Sequence, residues 1–265
     1  MKIAWMTDVH LDFVDRETVD ALIARLRASG AGAVAITGDI AEADSVEAHL
    51  ETLAAGLDVP LYFVLGNHDY YGASIEAVRK RMDRLCSRTT SLCYLSGSEP
   101  VALTPGWALV GHDGWGDGRA GDYARSPVML NDYVHIKDLA GLDKQARGER
   151  LAALGRQAAE HLHRVLPQAL ALCSRVLLLT HVPPLTTACW HQGKTADDDW
   201  APHFVCQSVG EAILEIMAAH PQQQLRVLCG HTHSEGIDRP RPNITIMTGA
   251  ADYGRPAIAD TLELD

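Results

Sequence analysis

The chain has 265 residues, 47% of them hydrophobic, and 34 acidic against 23 basic side chains give it a net charge of −11. That content excludes a disordered chain and is ample for a large core. The acidic balance excludes nucleic-acid binding through an extended basic surface, although a phosphorylated small-molecule substrate stays possible where metal ions set the local field. No run approaches the roughly 18 apolar residues needed to cross a bilayer. The sequence begins on a strand-like run with no signal-peptide pattern, so the expectation is a cytoplasmic protein without a membrane partner. One domain covering 1–265 is expected, because no stretch has linker composition. Its oligomeric state is left open.

In chain order, Ile3 to Thr7 reads as a buried strand, because buried strands are short continuous apolar runs. Val19, Leu22, Ile23 and Leu26 follow at helical spacing, and Gly30 is placed to end that helix. Ala33 to Thr37 is a second strand. Ser45 is positioned to cap a helix with Val46, Leu50 and Leu53 inward. Leu61 to Leu65 is a third strand, then Ser74 heads a helix bearing Ile75, Val78, Met82 and Leu85. Strand–helix alternation predicts a largely parallel sheet covered by helices. Tyr94–Leu95, Val101–Leu103 and Trp107–Val110 then read as a meander, followed by Gly-rich loop. A long helix is expected between Arg150 and Leu166, a strand over Val176–Thr180, a helix near Ser208–Ala219 and a strand over Leu225–Cys229. The tail alternates Ile258, Asp260, Leu262 and Leu264, as a last strand does. The six cysteines form no Cys-x-x-Cys pair and are read as ordinary thiols.

Five of these runs end in polar donors. They are Asp8-Val9-His10, Gly38-Asp39, Gly66-Asn67-His68-Asp69, His181, and Gly230-His231-Thr232-His233. Ligands in α/β sheets bind beyond the carboxyl ends of strands, so five such tips can converge. Asp8 and His10 are two apart, as are His231 and His233, and in extended chain each pair points to one side. Oxygen and imidazole donors without a thiolate suit divalent ions such as Mn, Fe, Zn, Ni or Co. Seven donors exceed the four of a structural zinc site and suit a pair of ions about 3.5–4 Å apart.

In this order the motifs resemble those of the calcineurin-like metallophosphoesterases, over residues 8 to 233. The resemblance implies a four-layer α/β/β/α sandwich of two mixed sheets flanked by helices, with the meander and the C-terminal strand in the second sheet. It implies two divalent metal ions as cofactors. Asp8, His10, Asp39 and His233 would hold one, and Asp39, Asn67, His181 and His231 the other. His68 would contact the scissile phosphate or protonate the leaving oxygen, with Asp69 orienting it. The implied reaction is phosphoester hydrolysis by attack of a metal-bridging hydroxide. Counting two dications against Asp8, Asp39 and hydroxide leaves about +1, which favours a phosphodiester anion over a monoester dianion. A monoester would need an added cation, for which Arg119 and Arg125 are candidates. The alternatives are a phosphomonoesterase, a protein or nucleotide phosphatase, or a non-catalytic scaffold of the same fold. A dinuclear amidohydrolase fits less well, since such sites seldom use an Asn ligand.

Two long segments, 111–137 and 183–203, follow strand ends and are expected to rim the site. Trp115, Trp190 and Trp200 are candidates to stack on a flat group. His112, His191 and His203 are candidate substrate contacts, and Tyr70 and Tyr71 candidate lining of the entrance.

Overall fold

The short apolar runs of the first 94 residues form four parallel strands, with helices packed on one face. A computed structural model describes residues 1–265. The order is β1 (Lys2–Met6), α1 (Arg16–Ala28), β2 (Ala33–Thr37), α2 (Val46–Gly56), β3 (Leu61–Val64), α3 (Ile75–Arg88) and β4 (Leu92–Tyr94). Then come β5 (Val101–Thr104), β6 (Trp107–Gly111), α4 (Asp132–His135), α5 (Lys144–Leu172), β7 (Arg175–Leu179), β8 (Trp190–His191) and β9 (Lys194–Thr195). The chain finishes with α6 (Ala201–Phe204), α7 (Gln207–Ala218), β10 (Gln224–Cys229), β11 (Gly236–Arg241), β12 (Ile244–Thr248) and β13 (Asp260–Glu263). One sheet runs β13-β1-β2-β3-β4 and the other β11-β12-β10-β7-β6-β5. No helix is long and apolar enough to cross a membrane.

Strand alternation makes the four layers. Ile3 and Trp5 of β1, Ala33 and Ala35 of β2, and Leu177 and Leu179 of β7 meet in the core between the sheets. Their neighbours Ala4, Met6, Val34 and Ile36 face the opposite way, toward α1, α2 and α3. Val176 and Leu178 face the second half of α5, and α7. Both sheets are therefore buried on two faces, which explains why their strands read as continuous apolar runs.

Three expectations are corrected. The C-terminal strand β13 joins the first sheet, antiparallel to β1, and not the second. There Leu262 and Leu264 extend the inter-sheet core beside Ile3 and Trp5. The meander is split between the sheets: β4 lies beside β3, while β5 and β6 form a hairpin edge of the second sheet. The α5 helix runs past Leu166 and carries Pro167 inside it. A helical proline costs about 3 kcal/mol, and burial of Leu166 and Leu170 on the core offsets it at roughly 1.5–3 kcal/mol each. The hairpin β11–β12 was not anticipated, because β11 is a polar edge strand containing Pro240. At the helix starts, Ser74 accepts from Ala77 N–H as a cap, whereas Ser45 donates back to the Glu42 carbonyl.

The buried carboxylate of Asp113, just after β6, ties the second sheet to the first. It accepts from Leu65 N–H, the hydroxyls of Tyr70, Tyr94 and Ser96, and the Arg79 guanidinium at 3.0 Å. Its own carbonyl accepts from His181 N–H at 2.9 Å. Burial opposes its charge, but Arg79, then His112 and the hydrogen bonds from Ser96 and Leu65, hold the carboxyl at about 2, against an ordinary 3.8. A depressed carboxyl contributes stability that is present above 3.8 and lost as pH falls through about 2. Asp113→Ala is expected to cost about 3–5 kcal/mol in urea unfolding, since it strands Arg79 without its partner. The variant should also lose stability more shallowly on acidification than the parent chain; an unchanged denaturation midpoint would refute this role.

Candidate metal centre

The five polar tips follow β1, β2, β3, β7 and β10, all at the carboxyl ends of parallel strands. Main-chain bonds lock them together. Asp8 N–H donates to the Gly38 carbonyl, His10 N–H to the Asp39 carbonyl, and Gly230 N–H to the His181 carbonyl. The gathering is close enough that only glycine fits at some positions. A Cβ on Gly66 would run into the Asp39 carboxylate and the His181 ring, and one on Gly38 would lie 2.6 Å from Gly66 N.

The backbone here is strained. Six non-glycine residues have positive φ, and five of them are Asp8 (49°), His10 (40°), Asp39 (48°), His231 (71°) and His233 (54°). The left-handed region costs roughly 1–2 kcal/mol per residue for side chains with a Cβ. Strain concentrated in this way marks a functional site. It also corrects the expected geometry: Asp8 and His10 converge through left-handed turns, whereas His231 and His233, also left-handed, go to different clusters, with neither pair in extended chain.

Asp8, His10, Asp39 and His233 present donor atoms within 4.8 Å of one another, and so do Asp39, His181 and His231. Asp39 belongs to both groups, so the clusters are adjacent. In the first, the Nε2 atoms of His10 and His233 face each other at 3.3 Å, and His233 Nε2 is 3.4 Å from Asp8 Oδ1. In the second, His181 Nε2 lies 3.5 Å from Asp39 Oδ1 and 3.0 Å from Asn67 Oδ1.

The hydrogen bonds around His181 and Asn67 settle what those atoms are. His181 Nδ1 is 2.8 Å from the Thr37 carbonyl and must donate to it. In the neutral ring, the form that binds a metal, its Nε2 then carries the lone pair. The Asn67 amide nitrogen donates to Asp132 Oδ1 at 2.9 Å, which turns the Asn67 oxygen toward His181. In that form two acceptors face each other at 3.0 Å. A metal ion between them makes that arrangement favourable. The buried His231 Nε2 likewise has no hydrogen-bond partner. A cavity of about 10 Å³, room for one small ion or water, lies among Asn67, Asp132, His181 and His231.

Electrostatics agree. Burial, then the charge of Asp8, pushes the Asp39 carboxyl well above the usual carboxylate range. Burial, with neighbouring His68, pushes His10 down to about 3, and burial with His181 holds His231 well below an ordinary imidazole. Neutral buried imidazoles and a destabilised buried carboxylate are what divalent cations stabilise.

His68 sits at the edge of the pair, its ring 4.7 Å from His10 and stacked on Tyr71 at 4.4 Å. Its N–H donates to Asp39 Oδ1 at 2.9 Å. Asp69 does not orient the His68 ring. Its carboxylate is filled by the N–H groups of Ile40, Ala41 and Gly66 at 2.8–2.9 Å, so it braces the loops carrying Asp39 and Asn67. The His68 Nδ1 is buried without a partner.

Among the rim candidates, Trp115 is buried against Tyr70, and Tyr70 is itself buried on Asp113 away from any entrance. Tyr71 is nearly buried, under His68 and on Asp132. His112 is buried and accepts from Gly114 N–H, and His203 is held between Ser126 and Tyr133. Arg119 grips Glu211 and Ser208, and exposed Arg125 stands 3.9 Å from Asp122, so neither delivers its charge to the centre. Asp132, Phe13, Phe204 and Tyr253, which no sequence pattern marked, do approach it.

The model of the calcineurin-like phosphoesterase family matches residues 1–235. No curated protein matches the sequence significantly. Among solved structures, a dimetal phosphatase from Danio rerio superposes with a TM-score of 0.58 at 17% identity, covering 98% of this chain and 88% of its own. The phosphopantetheinyl hydrolase of Mycobacterium tuberculosis does so with a TM-score of 0.65 at 14% identity, covering 96% and 90%. At such identities these likenesses speak for the fold. With the family match over most of its length and the paired donor clusters intact, the chain belongs to the calcineurin-like phosphoesterase family and is a metal-dependent phosphoesterase.

Proposed function

We propose that the protein hydrolyses phosphodiesters at a dinuclear centre. Asp8, His10, Asp39 and His233 hold one divalent ion; Asp39, Asn67, His181 and His231 hold the other. The observation that carries this reading is the close pair of His181 Nε2 and Asn67 Oδ1 beside a carboxylate common to both clusters. When bound, two such ions supply a water acidified from about 15.7 toward 7 and neutralise charge on the phosphoryl oxygens.

The chain's own groups do the rest. The Thr37 carbonyl keeps His181 in one tautomer, and Asp132 keeps the Asn67 oxygen turned inward. His68, pressed between His10 and Tyr71, faces the bound phosphate. Burial pushes its imidazole down to about 4, so it is neutral in the free protein at neutral pH. The negative charge of a bound phosphate raises it again, which lets His68 deliver a proton to the leaving oxygen.

A diester is preferred for two reasons. Arg119 and Arg125 are engaged elsewhere, so the added cation that a monoester dianion calls for is not supplied by them. Two cavities, about 680 and 870 Å³, both reach His233 and give each ester substituent its own room. The cellular setting proposed is the cytoplasm, the substrate a small molecule.

Protein loaded with Mn²⁺ is expected to bind two ions per chain and to cleave bis(p-nitrophenyl) phosphate with higher kcat/KM than p-nitrophenyl phosphate. Asp39→Asn should lower metal content and turnover together; full occupancy of both sites would sink the shared role of Asp39. His68→Ala should keep both ions, as counted by elemental analysis, and lose about 10²–10⁴-fold in kcat. Asp132→Ala should weaken binding of one ion about 10–100-fold. Asp132→Asn, which keeps an acceptor for Asn67, should restore much of that affinity. Equal titrations for the two variants would show that Asp132 does not position Asn67.

A further inference from the structure

Exposed large apolar side chains are informative where they gather in one place. Three such residues of this chain, Phe13 (54% exposed), Trp200 (48%) and Tyr253 (52%), stand at the mouth of the metal centre. Phe13 and Tyr253 pack on one another and on His10, with ring centroids 4.4–6.0 Å apart. On the other side a row of rings leads outward. Phe204 lies over His231 at 4.5 Å and 30°, and Trp200 follows at 5.7 Å from Phe204. The other two tryptophans of the rim segments are accounted for by packing, Trp115 in the core and Trp190 against Gly236. Trp200 is not.

Between Trp200, Phe204 and Tyr253 is the cavity of about 680 Å³ that opens directly on His231 and His233. This size takes a drug-sized or nucleoside-sized group. The hairpin β8–β9 forms its far wall and brings His191, Gln192 and Lys194 to it. Gln192 N–H donates to Ser234 Oγ at 3.2 Å, which fastens the hairpin to the loop that carries His233. Gln192 is also the one residue with positive φ, at 49°, among the six that is not in the donor clusters.

We infer that this cavity binds a flat aromatic ring of the substrate, a nucleobase or an aryl group, against Trp200 while the phosphate lies on the metal pair. The inference rests on the phosphodiester reading above. A ring uses the aromatic faces, and its edge meets the polar groups of the hairpin. An alkyl chain of the same volume uses neither the ring geometry nor those polar groups. Stacking on an aromatic side chain discriminates by about tenfold or more.

The test uses phosphate esters that differ only in the ring. Adenosine 5′-monophosphate and ribose 5-phosphate compete with bis(p-nitrophenyl) phosphate on the Mn²⁺-loaded protein, alongside phenyl phosphate and methyl phosphate. The expected result is an inhibition constant about tenfold lower for the nucleotide than for the sugar phosphate. Nucleotide binding should also quench tryptophan fluorescence. In Trp200→Ala the preference and the quench should both collapse, while the inhibition constant of ribose 5-phosphate stays unchanged. A preference confined to phenyl over methyl phosphate would assign the cavity to a plain aryl ring. Equal constants within both pairs, in a protein that does hydrolyse the diester, would overturn the aromatic pocket. Failure to turn over any diester would instead strike at the reaction assigned to the centre.

Discussion

Everything else in this structure serves one costly arrangement, a set of buried metal-ligand atoms pressed together around the Asp39 carboxylate. His181 Nε2 faces Asn67 Oδ1 at 3.0 Å, and His10 Nε2 faces His233 Nε2 at 3.3 Å, with Asp8 and Asp39 buried beside them. Burying so many donor atoms and two carboxylates side by side is costly, and bound cations offset that cost. The chain holds three of the ligands by further hydrogen bonds. Thr37 takes the His181 proton, Asp132 takes the Asn67 amide, and His231 N–H donates to both oxygens of Asp8 at 3.0 and 3.1 Å. These outer contacts decide which atom of each side chain points inward.

Such a cluster must be anchored to parts that do not give way. The two sheets share a core of Ile3, Trp5, Leu177, Leu179 and their neighbours, and the tips leave that core directly. Asp69 binds the β2 and β3 loops through three N–H groups, and Asp113 binds the β6 loop to β3, α3 and β4. Neither carboxylate belongs to a donor cluster, yet each is buried and fully engaged. The positive φ angles at Asp8, His10, Asp39, His231 and His233 show where the rigid frame imposes conformations the residues do not favour.

The surroundings of the centre divide by chemistry. On the inner side Asp132, Tyr71 and His203 are buried and hydrogen-bonded, so the segment around residues 112–137 contributes support more than substrate contact. On the outer side Phe13, Trp200, Phe204 and Tyr253 are half open to water, and the hairpin β8–β9 supplies polar edges. In the proposed reading the centre meets only the phosphate, so discrimination between ester substituents falls to this outer ring.

The sequence alone carried the donor inventory and most of the fold, because apolar runs followed by Asp, Asn and His are local patterns. Strands β1, β2, β3, β7 and β10 and helices α1, α2, α3 and α7 were legible for that reason. The grouping of the seven donors around Asp39 also agrees with their order along the chain. What it could not carry depends on contacts between distant segments. Asp132 lies 65 residues from Asn67, and Asp113 lies 48 from Leu65, and nothing near either marks a partner. The pairing of β13 with β1 is settled by inter-sheet packing at opposite ends of the chain. The left-handed turns at Asp8 and His231 are imposed from outside, since no residue but glycine asks for them. Composition and spacing chose the atoms; tertiary packing chose their tautomers, their orientation and the strain under which they wait for a cation.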